Sequence, residues 1–387
     1  MMNPLTLATL APARAAAVTA RSSYRVEVVE DFDSFLRLEQ DWNDLLERSG
    51  LSFPFVTHEW VRTWIEHFGA EQRLHMLVVR RGGTVAAILP LMISRGLMYG
   101  VPVLRLQSIH NVYTERFDFL VDGPNEEIYQ AIWDHLLHGA PRWDVLELRQ
   151  LPSGSPTLSH LTRLAARDRR PTERWHASDS PYVPIRGTFQ SYSRTLDRKH
   201  RANLRNRLGR LSRVGRIEIE IIKTAGEAET ALAAGWRLEA AAWKGRAGTA
   251  IGCLPRVRSF YESFAARAAR RGWLCLYFLR VNGQRIAFCY GLCFANRVFQ
   301  LKPGYDPGFA SLSPSTTLTA MILEEAFDRG REELDFLGVN DAWKQSWSTT
   351  TRSHEWLFVF RPGLRSHLLR WAKFRIAPAL RRARWQS

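Results

Sequence analysis

The sequence predicts an α/β protein of two halves built to one plan, each a mixed β-sheet flanked by helices. Three observations carry this. Leu77 to Ile93 reads as strand, tight Gly-Gly turn, strand, and Tyr277 to Cys293 repeats the pattern around Asn282 and Gly283. Setting Gly83 on Gly283 also aligns Arg80 with Arg280 and Ala87 with Ala287. Each hairpin is then followed by a helical stretch and a short strand with an acidic residue: Glu126 to Leu137 and Trp143 to Leu148 in one half, Ser315 to Arg329 and Glu333 to Leu337 in the other. Finally, 387 residues exceed one ordinary core and suit two.

The remaining elements fall around these landmarks. Residues 1–23 are Ala-rich and interrupted by Pro4 and Pro12, which predicts a frayed, disordered tail. The first domain, 24–184, opens with a strand at Tyr24 to Val29. Phe32, Phe35, Leu36, Trp42, Leu45 and Leu46 then form a helical stripe, and a second helix runs from Thr57 to Phe68. Ser153 to Pro184, with Pro156, Pro171, Pro181 and Pro184, reads as a hinge-like connection around a short helix. In the second domain, 185–362, Pro255 opens a helix with Val257, Phe260, Phe264 and Ala268 on one face, and Gly272 closes it. Residues 363–387 form a basic amphipathic segment.

Composition narrows the function classes. No window reaches the roughly 18 apolar residues of a spanning helix, so a cytoplasmic protein is expected. Four cysteines, all between Cys253 and Cys293, read as small buried hydrophobes in a reducing compartment. The Cys289 and Cys293 spacing is not that of a metal pair, and no metal site is expected. A net charge of +16 points to an anionic partner.

Four stretches carry candidate chemistry. In the first, Ser313 stands at the N-cap and Pro314 at the first turn of a helix, with hydroxyls at Ser315, Thr316 and Thr317; such an end either binds a phosphate or is simply a capped helix. The second, Glu333 to Trp347, buries Asp335 between Leu334 and Phe336, where a carboxylate must be paired, shifted in pKa or facing a cleft, and Lys344 follows in an irregular segment. The third, Ser193 to Arg216, sets nine Arg and Lys against the single acid Asp197 over a narrow Leu stripe. That is an amphipathic helix or helix pair whose outer face either binds anions or is merely solvated; without a zinc or RNP-like pattern, no specific nucleic-acid partner is expected. In the fourth, Leu364 to Ser387, seven Arg and Lys and no acid interleave with Trp371, Phe374, Ile376, Leu380 and Trp385. This composition suits either an anionic membrane surface, peripheral to the inner membrane, or packing on the domain beneath.

Taken in order, the phrases DWNDLLERSG with FPFVTHEWVRTWIEHF, SPYVPI, EAAAWKGRAGTA, LYFLRVNGQRIAF, GYDPGFASLSPST and DFLGVNDAWKQSW resemble the CelD/BcsL-type proteins of the GNAT superfamily, associated with cellulose and exopolysaccharide production and related to the Fem transferases. The resemblance covers Phe32 to Phe360 and implies tandem GNAT-like domains. It implies transfer of an acyl group, acetyl above all, from an acyl-CoA donor to a saccharide or small-molecule amine or hydroxyl acceptor. Backbone N–H groups beside a splayed strand pair would stabilise the oxyanion. On that footing Ser313, Ser315 and Thr316 meet the donor phosphates, Asp335 and Tyr305 move protons, Lys344 stabilises charge, and Trp243, Lys244 and Asp118 contact the acceptor. The superfamily's Q/R-x-x-G-x-G/A donor loop is replaced here by SLSPST. Two other readings follow from the same resemblance: a non-catalytic accessory of a polysaccharide synthase, and a Fem-like aminoacyl transferase.

Overall fold

Alternating apolar residues and Gly turns build most of the strands. A computed structural model describes residues 23–241, 248 and 250–376. The first half contains β1 (Tyr24–Val29), β2 (Arg73–Leu74), β3 (Met76–Arg81), β4 (Thr84–Leu89), β5 (Leu91–Met98), β6 (Val101–Ser108), β7 (Leu120–Val121), β8 (Val145–Pro152) and β9 (Thr172–Pro184). The second half contains β10 (Ile217–Ile222), β11 (Leu274–Val281), β12 (Gln284–Phe294), β13 (Arg297–Tyr305), β14 (Glu333–Asp335) and β15 (Thr351–Phe360). They form a four-stranded sheet, β1-β3-β4-β7, and an eleven-stranded sheet, β10-β11-β12-β13-β14-β9-β15-β8-β6-β5-β2. The two repeated hairpins are β3–β4 and β11–β12, antiparallel as the alignment of Gly83 on Gly283 requires.

The large sheet belongs to both halves, and this corrects the hinge-like reading of 153–184. Residues 172–184 are a 13-residue strand that pairs with β15 along most of its length and with β14 at its end. The prolines do not prevent this, because Pro171 precedes the strand and Pro181 and Pro184 stand near its C-terminal end, where few ladder bonds are lost. The hairpin β5–β6 also escaped the sequence reading. Its turn residues Tyr99 and Gly100 have φ of 52° and 79°, so a tyrosine occupies a left-handed position that Asn or Gly usually fills.

One apolar core crosses from half to half. Helix His58–Phe68, the one expected from Thr57 to Phe68 and capped by Thr57, lays Trp60 edge-on against Phe260 and Phe264 of helix Pro255–Arg270, with ring centroids 5.1 and 4.8 Å apart. Such aromatic pairs add about 0.5–1.5 kcal/mol each beyond their buried area. A second core under helices Glu126–His138 and Pro156–Arg167 is built mainly from the first half with Leu357 and Val359 of β15, and a third, under helix Pro314–Asp328, mainly from the second with Val183 of β9. The basic run forms two helices, Phe189–Thr195 and Arg198–Val214, with Leu204 and Leu211 packed on the third core. Of the cysteines, Cys275 and Cys289 are buried and Cys293 half-buried; Cys253 is exposed, since it lies in a short 3-10 turn and not in a strand. Residues 1–22 of the expected N-terminal tail and 377–387 of the basic segment lie outside the described residues.

A buried ionic joint adds to this core. Asp335, fully buried at the end of β14, accepts hydrogen bonds from Arg116 of the first half and from Arg352 of β15, the latter at 2.8 Å. Arg352 also reaches Glu333 at 3.0 Å, and Arg116 donates from Nε to His354 Nε2 at 3.0 Å. Burial and the nearby Arg116 push the His354 imidazole down to about 3, so it is neutral and can accept that bond.

Two outcomes follow. Arg116→Met takes one of two guanidinium partners from a buried carboxylate and leaves it with Arg352 as its one cationic partner of the two, which should cost about 3–5 kcal/mol in urea unfolding, whereas Arg25→Met, at a side chain 83% exposed, should change stability by less than about 0.5 kcal/mol. Asp118, buried on Ser155 and Thr157 and without a cationic partner among the described residues, has its carboxyl pushed up to about 6 by burial. A raised folded-state pKa gives stability that is complete below the unfolded value near 4 and lost as pH rises through 6. Unfolding free energies of wild type and Asp118→Asn measured from pH 4 to 7 should therefore diverge in the variant's favour as pH rises.

Candidate active site

β13 and β14 run parallel, and their pairing is brief. Arg297, Val298 and Phe299 face Glu333, Leu334 and Asp335; beyond that point β14 ends while β13 continues to Tyr305 beside β12 alone. Leu337 and Gly338, both at positive φ, turn the chain away, so a gap opens between the two strands. On its far side β13 approaches helix Ala225–Ala240 so closely that a Cβ on Gly304 would lie 2.5 Å from Cα of Glu239. Only glycine fits there, where the helix crosses the face of β12 and β13.

The first half reaches into this gap. The segment before β7 carries Arg116 onto Asp335 and over the Phe299 ring, 5.9 Å from its centroid. One residue earlier, the half-buried Glu115 accepts from the backbone N–H of Gly338 at 3.2 Å. Burial raises the Glu115 pKa against the opposing pull of Lys302, Arg116 and Lys344. Lys302, from β13, lies over the rings of Tyr113 and Tyr261 at 5.4 and 5.7 Å. Gln300, two residues earlier on β13, is buried, and its Nε2 has no hydrogen-bond partner among the described residues. A carboxyl with a lifted pKa among cations at such a gap is the kind of arrangement that handles protons at a reacting centre.

The residues singled out in the sequence divide into groups. Asp335 and Lys344 share this neighbourhood: Leu337 donates its N–H to Asp335 Oδ1 at 2.8 Å, and Lys344 Nζ donates to the carbonyls of Leu337 and Val339 at 2.7 and 2.8 Å. Burial lowers the Lys344 pKa against the pull of Asp341 and Glu115. Both groups are thus spent on holding the 337–341 turn, with the Asp335 carboxylate engaged by two guanidinium groups and one amide. Tyr305 stands at the end of β13 opposite Ala287, half-buried on the second half's own core. Asp118 sits apart, in the first half's core with Ser155 and Thr157. Trp243 and Lys244 lie outside the described residues.

The helix end has its own geometry. Ser313 occupies the N-cap of helix Pro314–Asp328 in a left-handed conformation, φ 51°, and its side chain makes no capping bond. Its carbonyl instead takes the N–H groups of Thr316 and Thr317 at 3.1 and 3.3 Å, and Pro314 has no N–H, so Ser315 holds the first amide not turned onto Ser313. The uncapped Ser313 hydroxyl and the half-buried hydroxyls of Ser315 and Thr316 make the polar rim of that end. Helix Arg198–Val214 packs against it, and none of that helix's seven Arg and Lys makes an ion pair among the described residues. Those residues also contain no cluster of three His, Cys, Asp or Glu fit for a metal.

Sequence reasoning missed Glu115 and Arg116. Its attention in YTERFDFL went to Asp118, the residue nearest the strand; the signal available was the Glu-Arg pair itself, charged residues directly before an apolar strand.

Against known proteins, the acetyltransferase (GNAT) domain family matches over residues 9–105 and 198–345, well over half of the chain. No curated protein matches the sequence. Among solved structures, FemX superposes with a TM-score of 0.59 at 13% identity, over 86% of this chain and 96% of its own. A conserved protein of unknown function from Bacteroides thetaiotaomicron VPI-5482 superposes at 0.53 and 12% identity, over 87% and 100%. L-PGS from Bacillus licheniformis does so at 0.50 and 12%, over 85% and 95%. These likenesses concern the fold. The chain therefore belongs to the acetyltransferase (GNAT) domain family, with its two halves as tandem GNAT-like α/β domains.

Proposed function

We propose that the protein is an acyltransferase that moves an acyl group, acetyl in the first instance, from a CoA-type thioester to an amine or hydroxyl acceptor. The observation that carries this reading is the gap between β13 and β14, with Glu115, Lys302 and Lys344 gathered at it. In the proposal the acceptor's nitrogen or oxygen attacks the thioester carbonyl carbon, the C–S bond breaks, and the thiolate leaves. Glu115 takes the acceptor proton, and Tyr305 returns one to the departing sulfur. Past Phe299, β13 has no strand partner on the side of the gap, and its backbone N–H groups serve the developing oxyanion. Asp335 acts as a positioning residue: it fixes Arg116 and so the neighbouring Glu115. Ser313, Ser315 and Thr316 receive the donor phosphates, and Trp243 and Lys244 meet the acceptor. A saccharide precursor in exopolysaccharide or cellulose production is the acceptor that the CelD/BcsL-type phrases support; a small amine is the other class.

The bare cationic helix Arg198–Val214 favours a second reading, in which a Fem-like aminoacyl transfer draws on an aminoacyl-tRNA held by that helix. Titration separates the two. Acetyl-CoA should bind with measurable heat under the first reading, and Ser315→Asp should weaken that binding by about tenfold or more through repulsion of the donor phosphates, with an unchanged melting temperature. No heat with acetyl-CoA, together with salt-sensitive tRNA binding, would transfer support to the second.

Thiol release from acetyl-CoA across a panel of sugars and amines tests the chemistry. Glu115→Gln should lower turnover by about 10²–10⁴-fold. Because the base acts only when ionised, wild-type rate should rise with pH through a Glu115 pKa lifted above 4.5 by burial, and the variant should lose that limb. Wild-type turnover in a folded Glu115→Gln protein would remove Glu115 from the mechanism.

A further inference from the structure

The outer face of helix Leu364–Trp371 is apolar and uncovered. Ser366 and Leu369 point inward, Arg370 pairs with Glu173 at 2.7 Å, Arg365 donates to the carbonyl of Pro102, and Phe374 beyond the helix packs on Trp175 and Phe358. These contacts fix the helix against β6, β9 and β15. Leu364, Leu368 and Trp371, one stripe at helical spacing, remain 78%, 58% and 58% exposed. Beside them stands the tip of the β5–β6 hairpin with Leu97 and Tyr99, 67% and 52% exposed. A shallow groove of about 570 Å³ runs between Tyr99, Val101 and the helix.

Tyr99, Leu364, Leu368 and Trp371 line this one groove and Leu97 projects from the same hairpin tip, which exceeds the scattered singles of an ordinary surface and marks an interaction site. The charge around them selects the partner. Residues 94–105 and 361–376, which build the patch, contain seven Arg and Lys and no Asp or Glu; Arg105, Arg365 and Arg370 face Glu147, Asp144 and Glu173 of neighbouring segments, and a cationic excess remains. A second copy of the chain would bring this cationic face against itself, which like charges oppose. An anionic bilayer satisfies both features at once, taking the apolar stripe at the acyl boundary and the guanidinium and ammonium groups at the head groups.

We infer that the hairpin tip Leu97–Tyr99 and helix Leu364–Trp371 together form a docking surface for an anionic phospholipid membrane. The helix lies in the plane of the interface, because among the described residues no helix is long and apolar enough to cross. This surface is independent of the acyl-transfer reading.

Co-sedimentation of the full chain with vesicles tests it, comparing pure phosphatidylcholine with phosphatidylcholine and phosphatidylglycerol at about seven parts to three. Expected is binding to the anionic vesicles that weakens as salt is raised, and little to the neutral ones. Leu368→Glu with Trp371→Glu, and separately Leu97→Glu with Tyr99→Glu, should each lower partitioning by about tenfold or more. All four side chains face solvent, so circular dichroism and melting temperature should not move. Absence of anionic-vesicle binding, equal binding to neutral vesicles, or wild-type binding by the hairpin variant overturns the inference. So does a dimer in light scattering that both variants dissolve, which would show that a second copy covers the patch.

Discussion

A single carboxylate buried away from water governs how the two halves meet. Asp335 lies at the end of a three-residue strand between β13 and β9, and its oxygens satisfy Arg116 from one half and Arg352 from the last strand. Removing ions from water costs several kcal/mol each, so the joint persists only while every partner is in place. That requirement fixes the segment before β7 against the second half, and with it the position of Glu115. The shared aromatic core of Trp60, Phe260 and Phe264 supplies the bulk of the attraction between the halves, yet aromatic burial is directionally tolerant. The ion cluster is what specifies register.

From this follows a site with walls from both domains. In a lone α/β unit the gap between β13 and β14 would open directly to solvent. Here Tyr113, Glu115 and Arg116 enter it from the other half, and Lys302 bridges two tyrosines there, one from each half. The low-dielectric surroundings explain the opposing shifts of Glu115 upward and Lys344 downward: each is more easily neutral where water is scarce. A carboxyl and an amine brought toward each other's titration range is a local property that neither half produces alone.

Legibility in the sequence tracked how local each cause is. β1, both Gly-turn hairpins and helices His58–Phe68, Glu126–His138 and Pro314–Asp328 were readable, because periodicity and caps lie within the element. β9 was not, since its strand character comes from β15, more than 150 residues away, and its prolines argue locally for a loop. The β5–β6 hairpin hid behind a Tyr-Gly turn that no short-range rule nominates. Asp335 was readable as a carboxylate in need of a partner; Arg116 as that partner was not, because nothing in the sequence links positions 219 residues apart. Glu115 was obscured for the same reason.

The replacement of a glycine-rich donor loop by SLSPST has a physical consequence at the helix end. Glycines in such a loop let several amides converge on a phosphate, whereas here Ser313 adopts the left-handed conformation itself and its carbonyl absorbs the amides of Thr316 and Thr317. If the proposed donor site is here, backbone donors are exchanged for side-chain hydroxyls, which rotate, and long-range attraction would come from the cations of helix Arg198–Val214 packed alongside. An end of this kind discriminates less by shape and more by charge than a rigid amide cradle does. Under the proposed reading, it would suit a donor whose anionic portion is large and extended better than one held only through a compact pyrophosphate.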